Sequence, residues 1–406
     1  MSSECILPTV DPKARVLTCF IAKFDLRSDE MLRCLSCLGC RPRDDVADAA
    51  LTGSGVLAVG QRGKREPTFE ELYELLYQIG EGKTGQVFVA KRKRRSYRSR
   101  AKTLAEEQER QREEHENDEE VAVKLVRQEY LSTTNRIEAL RAELAILAQV
   151  SHPGILRLRQ VFQDDDKFAI VADRALGGEV MEAIGRMHSP RLRECDVAAI
   201  IRQLLEVLAY LHLRGITHRD VKVENILCKS RDLQDGVLLI DFGLAHLGAV
   251  GGTEMTGMNG TPHYMAPEMF HKHGLYGCPI DLWALGVVAY ILLFGRFPFD
   301  ARFLSQVEDK IVQGKFEYPK ELEPLVSHQA KKFIEYLLVL NPRERPPAVL
   351  ALQHPWLQSG TASTAAFTDE HMAALASFSE GKKTFQPPAS AAPSSYVPPD
   401  LMPQHL

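Results

Sequence analysis

The stretch "IGEGKTGQVFVAK", residues 79–91, decides how this chain should fold. Gly80, Gly82 and Gly85 form G-x-G-x-x-G, a spacing used by more than one kind of phosphate-binding loop. In a dinucleotide-binding fold a helix follows the glycines. Here "QVFVAK" follows, and it reads as a strand. "LYQIGEG" and "GQVFVAK" therefore predict a hairpin with glycines at its turn. Such a turn, lacking Cβ atoms, lets backbone N–H groups approach a polyphosphate.

Outward from the hairpin, the second strand runs into "KRKRRSYRSR" (91–100), and "AEEQERQREEHENDEE" (105–120) closes the interruption. Segment 91–120 holds too few apolar residues to pack and reads as a solvated excursion. Loop closure grows slowly in cost with length, so the hairpin should survive it. The rival reading of residues 91–95 is a nuclear-import or nucleic-acid patch. The chain's net charge of −4 opposes a general nucleic-acid footprint, so no nucleic-acid partner is expected.

The strand pattern resumes in "EEVAVKLV" (119–126), and "TTNRIEALRAELAILAQVSHPG" (133–154) has helical spacing that stops at Pro153. "GILRLRQVFQDDDKFAIVAD" (154–173) reads as two more strands, making a small antiparallel sheet with one principal helix. Beyond it the chain is mainly helical: "CDVAAIIRQLLEVLAYLHLRG", "LWALGVVAYILLF" and "SHQAKKFIEYLLVLNP". The second is too short to span a bilayer and reads as a buried helix. The chain is 406 residues long, 45% hydrophobic and 26% charged, which fits a soluble two-lobed protein with tails. Residues 1–66 read as a poorly ordered extension, and the start has no signal-peptide pattern. Residues 358–406 read as a tail with a short helix over 368–380, then disorder.

Chemistry-bearing residues follow in order. Lys124 sits on the strand after the hairpin, where an ammonium can pair with phosphate oxygens, and Glu143 on the next helix can hold it. "HRDVKVENIL" offers Asp220, Lys222 and Asn225, and "LIDFGLA" offers Asp241. Two carboxylates and an amide suit Mg²⁺, an ion that prefers oxygen ligands and substrate phosphates.

On these residues the chain resembles the eukaryotic protein kinases over about residues 73–357. The resemblance implies an α+β, bilobal fold, with an antiparallel-sheet N-lobe and a helical C-lobe. It implies ATP and Mg²⁺ as cofactors and Ser/Thr hydroxyls of proteins as substrates. Gly80, Gly82 and Gly85 would cover the phosphates, and Lys124, paired with Glu143, would contact the α- and β-phosphates. Asp220 would accept the substrate proton, Lys222 would neutralise the transferring phosphoryl group, and Asn225 and Asp241 would hold Mg²⁺. Ile79, Glu81, Val87, Ala122 and Glu179 complete the implied nucleotide pocket, with the backbones of Asp173 and Ala175 facing adenine. "FAIVADRALGGE" puts Ala172 at the gatekeeper position behind the purine. Glu268 of "APE" should pair with Arg345, and Asp281 should anchor the catalytic loop.

Lys222, and Thr261 in "GTPHYMAPE", match serine/threonine kinases. "GVVAYILLFGRFPFD" and "HPWL" resemble the calmodulin-dependent kinase group, and "CKSRDLQDGVLLIDFG" the calcium-dependent protein kinases, yet no calcium-binding hand is present in the sequence. The resemblance also implies a taste for arginine three residues before the target, met by Glu179 and Glu224. The Thr three residues before "GTP" that such kinases phosphorylate is replaced by Gly257, with Thr256 adjacent, so no phosphate is expected to be needed. "TDEHMAALASFSEGKKTF" (368–385) reads either as a regulatory helix with a partner or as a plain packing helix. Cys34, Cys37 and Cys40 admit three readings: free thiols, S-acylation at a membrane, or part of a zinc site. The expected location is cytoplasmic, membrane-associated under acylation, or nuclear under import. A silent nucleotide-binding scaffold acting through its tails is the rival function.

Overall fold

Strands β1 (Tyr73–Glu81) and β2 (Gly85–Arg92) form the hairpin around the glycines in the computed structural model. The structure describes residues 67–384, apart from residues 83, 94–118, 128–129, 132, 165–166, 188–190 and 272–273. The N-terminal cysteines, the interior of the charged insertion and the end of the tail lie outside the described residues.

Strand β3 (Glu120–Val126) pairs antiparallel with β2, and β4 (Leu158–Asp164) and β5 (Lys167–Asp173) complete a sheet ordered β1-β2-β3-β5-β4. Arg92 and Glu120 thus belong to the sheet, and the insertion is narrower than the 91–120 expected. A short helix α1 (Phe69–Leu72), closed by a capping box between Thr68 and Glu71, leads into β1. Its Phe69 packs with Tyr73 and Phe162 on one face of the sheet. On the other face lies α2 (Thr134–Gln149), which buries Leu140 and Leu144 against Val161 and Ile170.

The C-lobe is built on α4 (Glu194–His212) and α5 (Pro279–Phe294), reached from the sheet through β6 (Gly178–Glu179) and α3 (Val180–Gly185). Helix α5 is apolar on all sides and buried from Ile280 to Phe294, as the run "LWALGVVAYILLF" requires. Asp281 is the one acid in that buried run. Small ladders, β7 (Ile216–Thr217) with β10 (His246–Leu247) and β8 (Ile226–Cys228) with β9 (Val237–Leu239), carry the loops between the lobes. Helices α6 (Leu304–Gln313), α7 (His328–Leu337) and α8 (Ala348–Ala351) complete the lobe.

The C-terminal helix α9 (Asp369–Thr384) runs past the expected residue 380. Its Leu375 is buried, and Met372, Ala374 and Phe378 pack on the C-lobe core. Phe378 meets Phe297 edge-on at 5.1 Å. Gly295 ends α5 in the left-handed region (φ 65°), and a Cβ there would fall 2.5 Å from the Ala374 carbonyl carbon. Both the turn and the close helix approach need glycine. Among the described residues no helix is long and apolar enough to cross a membrane, and Cys195, Cys228 and Cys278 are unbonded thiols.

Candidate active site

Asp220 sits at the centre of a polar cluster on the loop between β7 and β8. Lys222 Nζ donates to its Oδ2 at 2.5 Å and to Thr261 Oγ1 at 3.1 Å, and Thr261 Oγ1 lies 3.3 Å from Asp220 Oδ1. Asn225 Nδ2 donates to the Asp220 carbonyl at 2.8 Å and to Oδ2 at 3.0 Å. Three residues from two segments thus fix one nearly buried carboxylate.

The loop is anchored from below by Asp281. Its oxygens accept the backbone N–H groups of His218 and Arg219, both at 2.9 Å, and lie 2.9 Å from His212 Nε2. Burial alone would raise the Asp281 carboxyl, but the bonds from His212 and the nearby His218 outweigh it and hold the pKa below the ordinary range. His218 is fully buried, which pushes its pKa down, and its ring meets Phe242 at 4.9 Å. His212 carries no signal in a single sequence, because only the fold brings it to Asp281.

Arg219 (φ 66°) and Asp241 (φ 65°) are the two non-glycine residues with positive φ among those described. They flank the cluster on either side, and such strain persists where surrounding contacts over-determine the backbone. Arg219 is held by Asp281 and by its Nε bond to the Leu244 carbonyl. Asp241 accepts from the Gly243 N–H at 3.2 Å and is exposed.

The donors named for Mg²⁺ fit that ion. Asn225 and Asp241 are brought side by side by the Ile240 N–H bond to the Asn225 carbonyl, 3.0 Å. The Asn225 amide nitrogen is taken up by Asp220, so its oxygen is the group left to offer. One carboxylate and one amide oxygen form a sparse hard-oxygen set, suited to an ion that keeps water and phosphate ligands.

Lys124 lies on β3 opposite Val87 and Ile170. It does not close on Glu143 as expected: no ion pair within 4.0 Å joins them. The Glu143 carboxylate lies instead over Gly243, where an added Cβ would meet Oε2 at 3.5 Å and Asp241 Oδ1 at 3.1 Å. Burial raises its pKa first, Lys124 lowers it, and the Asp241 charge raises it further. The three groups share one electrostatic neighbourhood.

The glycines divide by cause. A Cβ on Gly85 would fall 2.1 Å from the Leu125 carbonyl oxygen, so strand pairing itself demands glycine there. A Cβ on Gly82 would meet nothing within 4 Å, and on Gly80 only Val87 at 3.8 Å. No packing among the described residues explains those two. Ile79 is exposed, while Val87 and Ala122 are half-buried under the hairpin. The Glu81 side chain pairs with Arg127, which leaves its backbone as the part near the loop. At the hinge the Asp173 N–H is taken up by the Arg157 carbonyl at 3.0 Å. Neither backbone group of Ala175 has a hydrogen bond among the described residues. Ala172 faces Ala122 across β3 and β5. Glu179 is exposed at the start of α3, and Glu224 accepts from the Tyr264 hydroxyl at 3.1 Å.

Residues 73–357 match the family model described as "Protein kinase domain". The chain is 37% identical over 243 residues to calcium/calmodulin-dependent protein kinase cmkA of Emericella nidulans, covering 60% of this chain and 58% of that protein. It is 37% identical over 244 residues to human serine/threonine-protein kinase H1, covering 60% and 56%. The chain thus spans under two thirds of the length of these curated relatives. With myosin light chain kinase A of Dictyostelium discoideum it shares 32% identity over 295 residues, 72% of this chain and 90% of that one. Among solved structures, the autoinhibited serine kinase domain of the giant muscle protein titin superposes with a TM-score of 0.62 at 25% identity, covering 76% and 88%.

Proposed function

The chain belongs to the protein kinase family, and we propose on that premise that it transfers the γ-phosphoryl group of Mg·ATP to Ser and Thr hydroxyls of proteins. The observation that carries this reading is the Asp220 carboxylate held by Lys222, Thr261 and Asn225. Asp220 accepts the substrate hydroxyl's proton, and Thr261 keeps the carboxylate turned towards it. Lys222 stands beside that oxygen to offset charge on the transferring group. The backbone of residues 80–85 lies over the phosphates and Lys124 pairs with them, while the Glu143 carboxylate offsets the Lys124 charge without bonding to it. Adenine meets the backbones of Asp173 and Ala175 between Ile79, Val87 and Ala122. Asn225 and Asp241 would hold Mg²⁺, which when bound neutralises phosphate charge.

The deciding experiment is phosphate transfer by purified protein to a generic Ser/Thr substrate. Asp220→Ala should lower it by about 10²–10⁴-fold while nucleotide still binds. Equal transfer by the substituted chain would point to a contaminating kinase and favour the silent-scaffold rival.

We further propose that arginine three residues before the target is preferred, through Glu179 and Glu224, whose carboxylates can bind a guanidinium in two-pronged fashion. A peptide array without basic preference at that position would refute this. We also propose that α9 restrains activity. Its support is the seat of the helix beside α3 and its Phe378 contact on Phe297, which stacks in turn on His263 at 4.4 Å. His263 lies in "GTPHYMAPE", the segment that carries Thr261. A chain ending at residue 367 should phosphorylate peptides with a lower KM; an unchanged KM would leave α9 a packing helix.

A further inference from the structure

Charged contacts outside the site connect the hinge to the end of the insertion. Arg159 on β4 donates through Nε to the Asp173 carboxylate and through Nη2 to Glu119 Oε2 at 2.5 Å. Arg174 pairs through Nη1 with Glu120 and donates through Nη2 to the Tyr77 hydroxyl at 2.9 Å. Its guanidinium carbon also lies 5.7 Å from the Tyr77 ring centroid. Read as sequence, the acidic stretch before β3 is solvated charge. Its last two residues are instead both engaged.

These contacts reach three elements around the expected adenine space: β1, β3 and the hinge. Tyr77 is on β1, three residues before Gly80, and Glu120 opens β3, two residues before Ala122. Asp173 and Arg174 are hinge residues. Each arginine is about one-fifth exposed and each acid between a third and a half, so one pair alone would hold little. A two-arginine network across four chain segments instead restricts the hinge relative to the strands above it, and preorganised binding groups lose less freedom on binding.

We infer that Arg159 and Arg174 are positioning residues for the nucleotide, with Glu119 and Glu120 at the insertion's end as their counter-charges. The inference rests on the nucleotide-binding reading above. The insertion rejoins the sheet at the residues that steady the hinge, so its acidic end acts on ATP affinity and not on phosphoryl transfer.

The test is titration of the full chain with Mg·ADP, together with KM for ATP, KM for peptide and kcat. Arg174→Ala, and separately Glu119→Gln with Glu120→Gln, should weaken Mg·ADP binding and raise KM for ATP by about three- to ten-fold. The peptide KM and kcat should stay within about two-fold. Combining Arg174→Ala with Glu120→Gln should cost no more than either alone, and the exchange Arg174→Glu with Glu120→Arg should recover affinity. If Arg174→Ala fails to fold, the glutamine pair, on exposed acids, decides. Unchanged Mg·ADP affinity in folded variants overturns this inference alone. No Mg·ADP binding by the native chain overturns the kinase reading and this inference with it.

Discussion

Arg345 grips Glu268 through two bonds, Nη1 to Oε1 at 2.8 Å and Nη2 to Oε2 at 3.0 Å. The arginine side chain is fully buried; its nitrogens also donate to the Pro279 and Val339 carbonyls, and its guanidinium lies over Trp283. This pair fastens the end of the activation segment to the helical core. Arg345→Ala would strand a buried carboxylate and lower stability by about 3–5 kcal/mol. Urea denaturation should show it as a lower midpoint, and an unchanged midpoint would mean the pair is dispensable.

Gly82 and Gly85 should respond in opposite ways to the same substitution. Gly85→Ala drives a methyl group against the Leu125 carbonyl, and overpacking of this kind costs about 1–3 kcal/mol. Gly82→Ala meets open space, so the melting temperature should hold while Mg·ATP affinity falls. Equal stability loss at both positions would contradict the division.

Thr256 is exposed, while the Arg219 guanidinium already donates through Nε to the Leu244 carbonyl. The segment is further tied by the Tyr276 hydroxyl bond to the Gly257 carbonyl at 2.8 Å. Activity should therefore need no phosphate here. Thr256→Ala is expected to keep peptide turnover within about three-fold, a change near or below 1 kcal/mol; abolished turnover would show that a phosphothreonine orders the loop.

Ala172, small and half-buried behind the hinge, should admit an inhibitor with a bulky aromatic group. Filling such a space contributes on the order of 1.5–3 kcal/mol, or roughly ten- to hundred-fold in affinity. Ala172→Met should exclude that inhibitor and leave turnover largely intact. Inhibition curves that coincide for the two proteins would show the space is absent.

His371 gives α9 a pH dependence. The ring is 2% exposed, stacks on Phe367 at 4.5 Å, and its buried Nε2 has no hydrogen-bond partner among the described residues. Burial pushes its pKa below the ordinary 6.5, against an upward pull from Glu370 and Glu194. The unfolded or undocked state then binds the proton more readily, so stability falls as pH drops from about 6.5 towards the lowered value. His218 and His354 shift the same way. With the base-catalysed intrinsic rate divided out, amide protection in α9 should fall as pH drops from about 7.5 to about 5.5, and His371→Gln should flatten that slope. Identical slopes would assign the effect to the other histidines.

Local pattern in the sequence determined much of the fold and the roster of site residues. Strand alternation after Gly85, the helical spacing of 134–149 and the apolar run of α5 each express a period that short windows reveal. The motifs holding Asp220, Asn225 and Asp241 name their residues without a structure. Tertiary structure alone decided where those residues point. It set Glu143 over Gly243 rather than on Lys124, and it assigned Gly85 to strand packing while leaving Gly82 unexplained by contacts among the described residues. It also brought His212 to Asp281, and Arg174 to Glu120 and Tyr77. Those partners lie dozens of residues apart, and a long-range charge pair leaves no period or spacing in a single chain. Only the closing of strands and helices around a shared core brings such groups within hydrogen-bond reach.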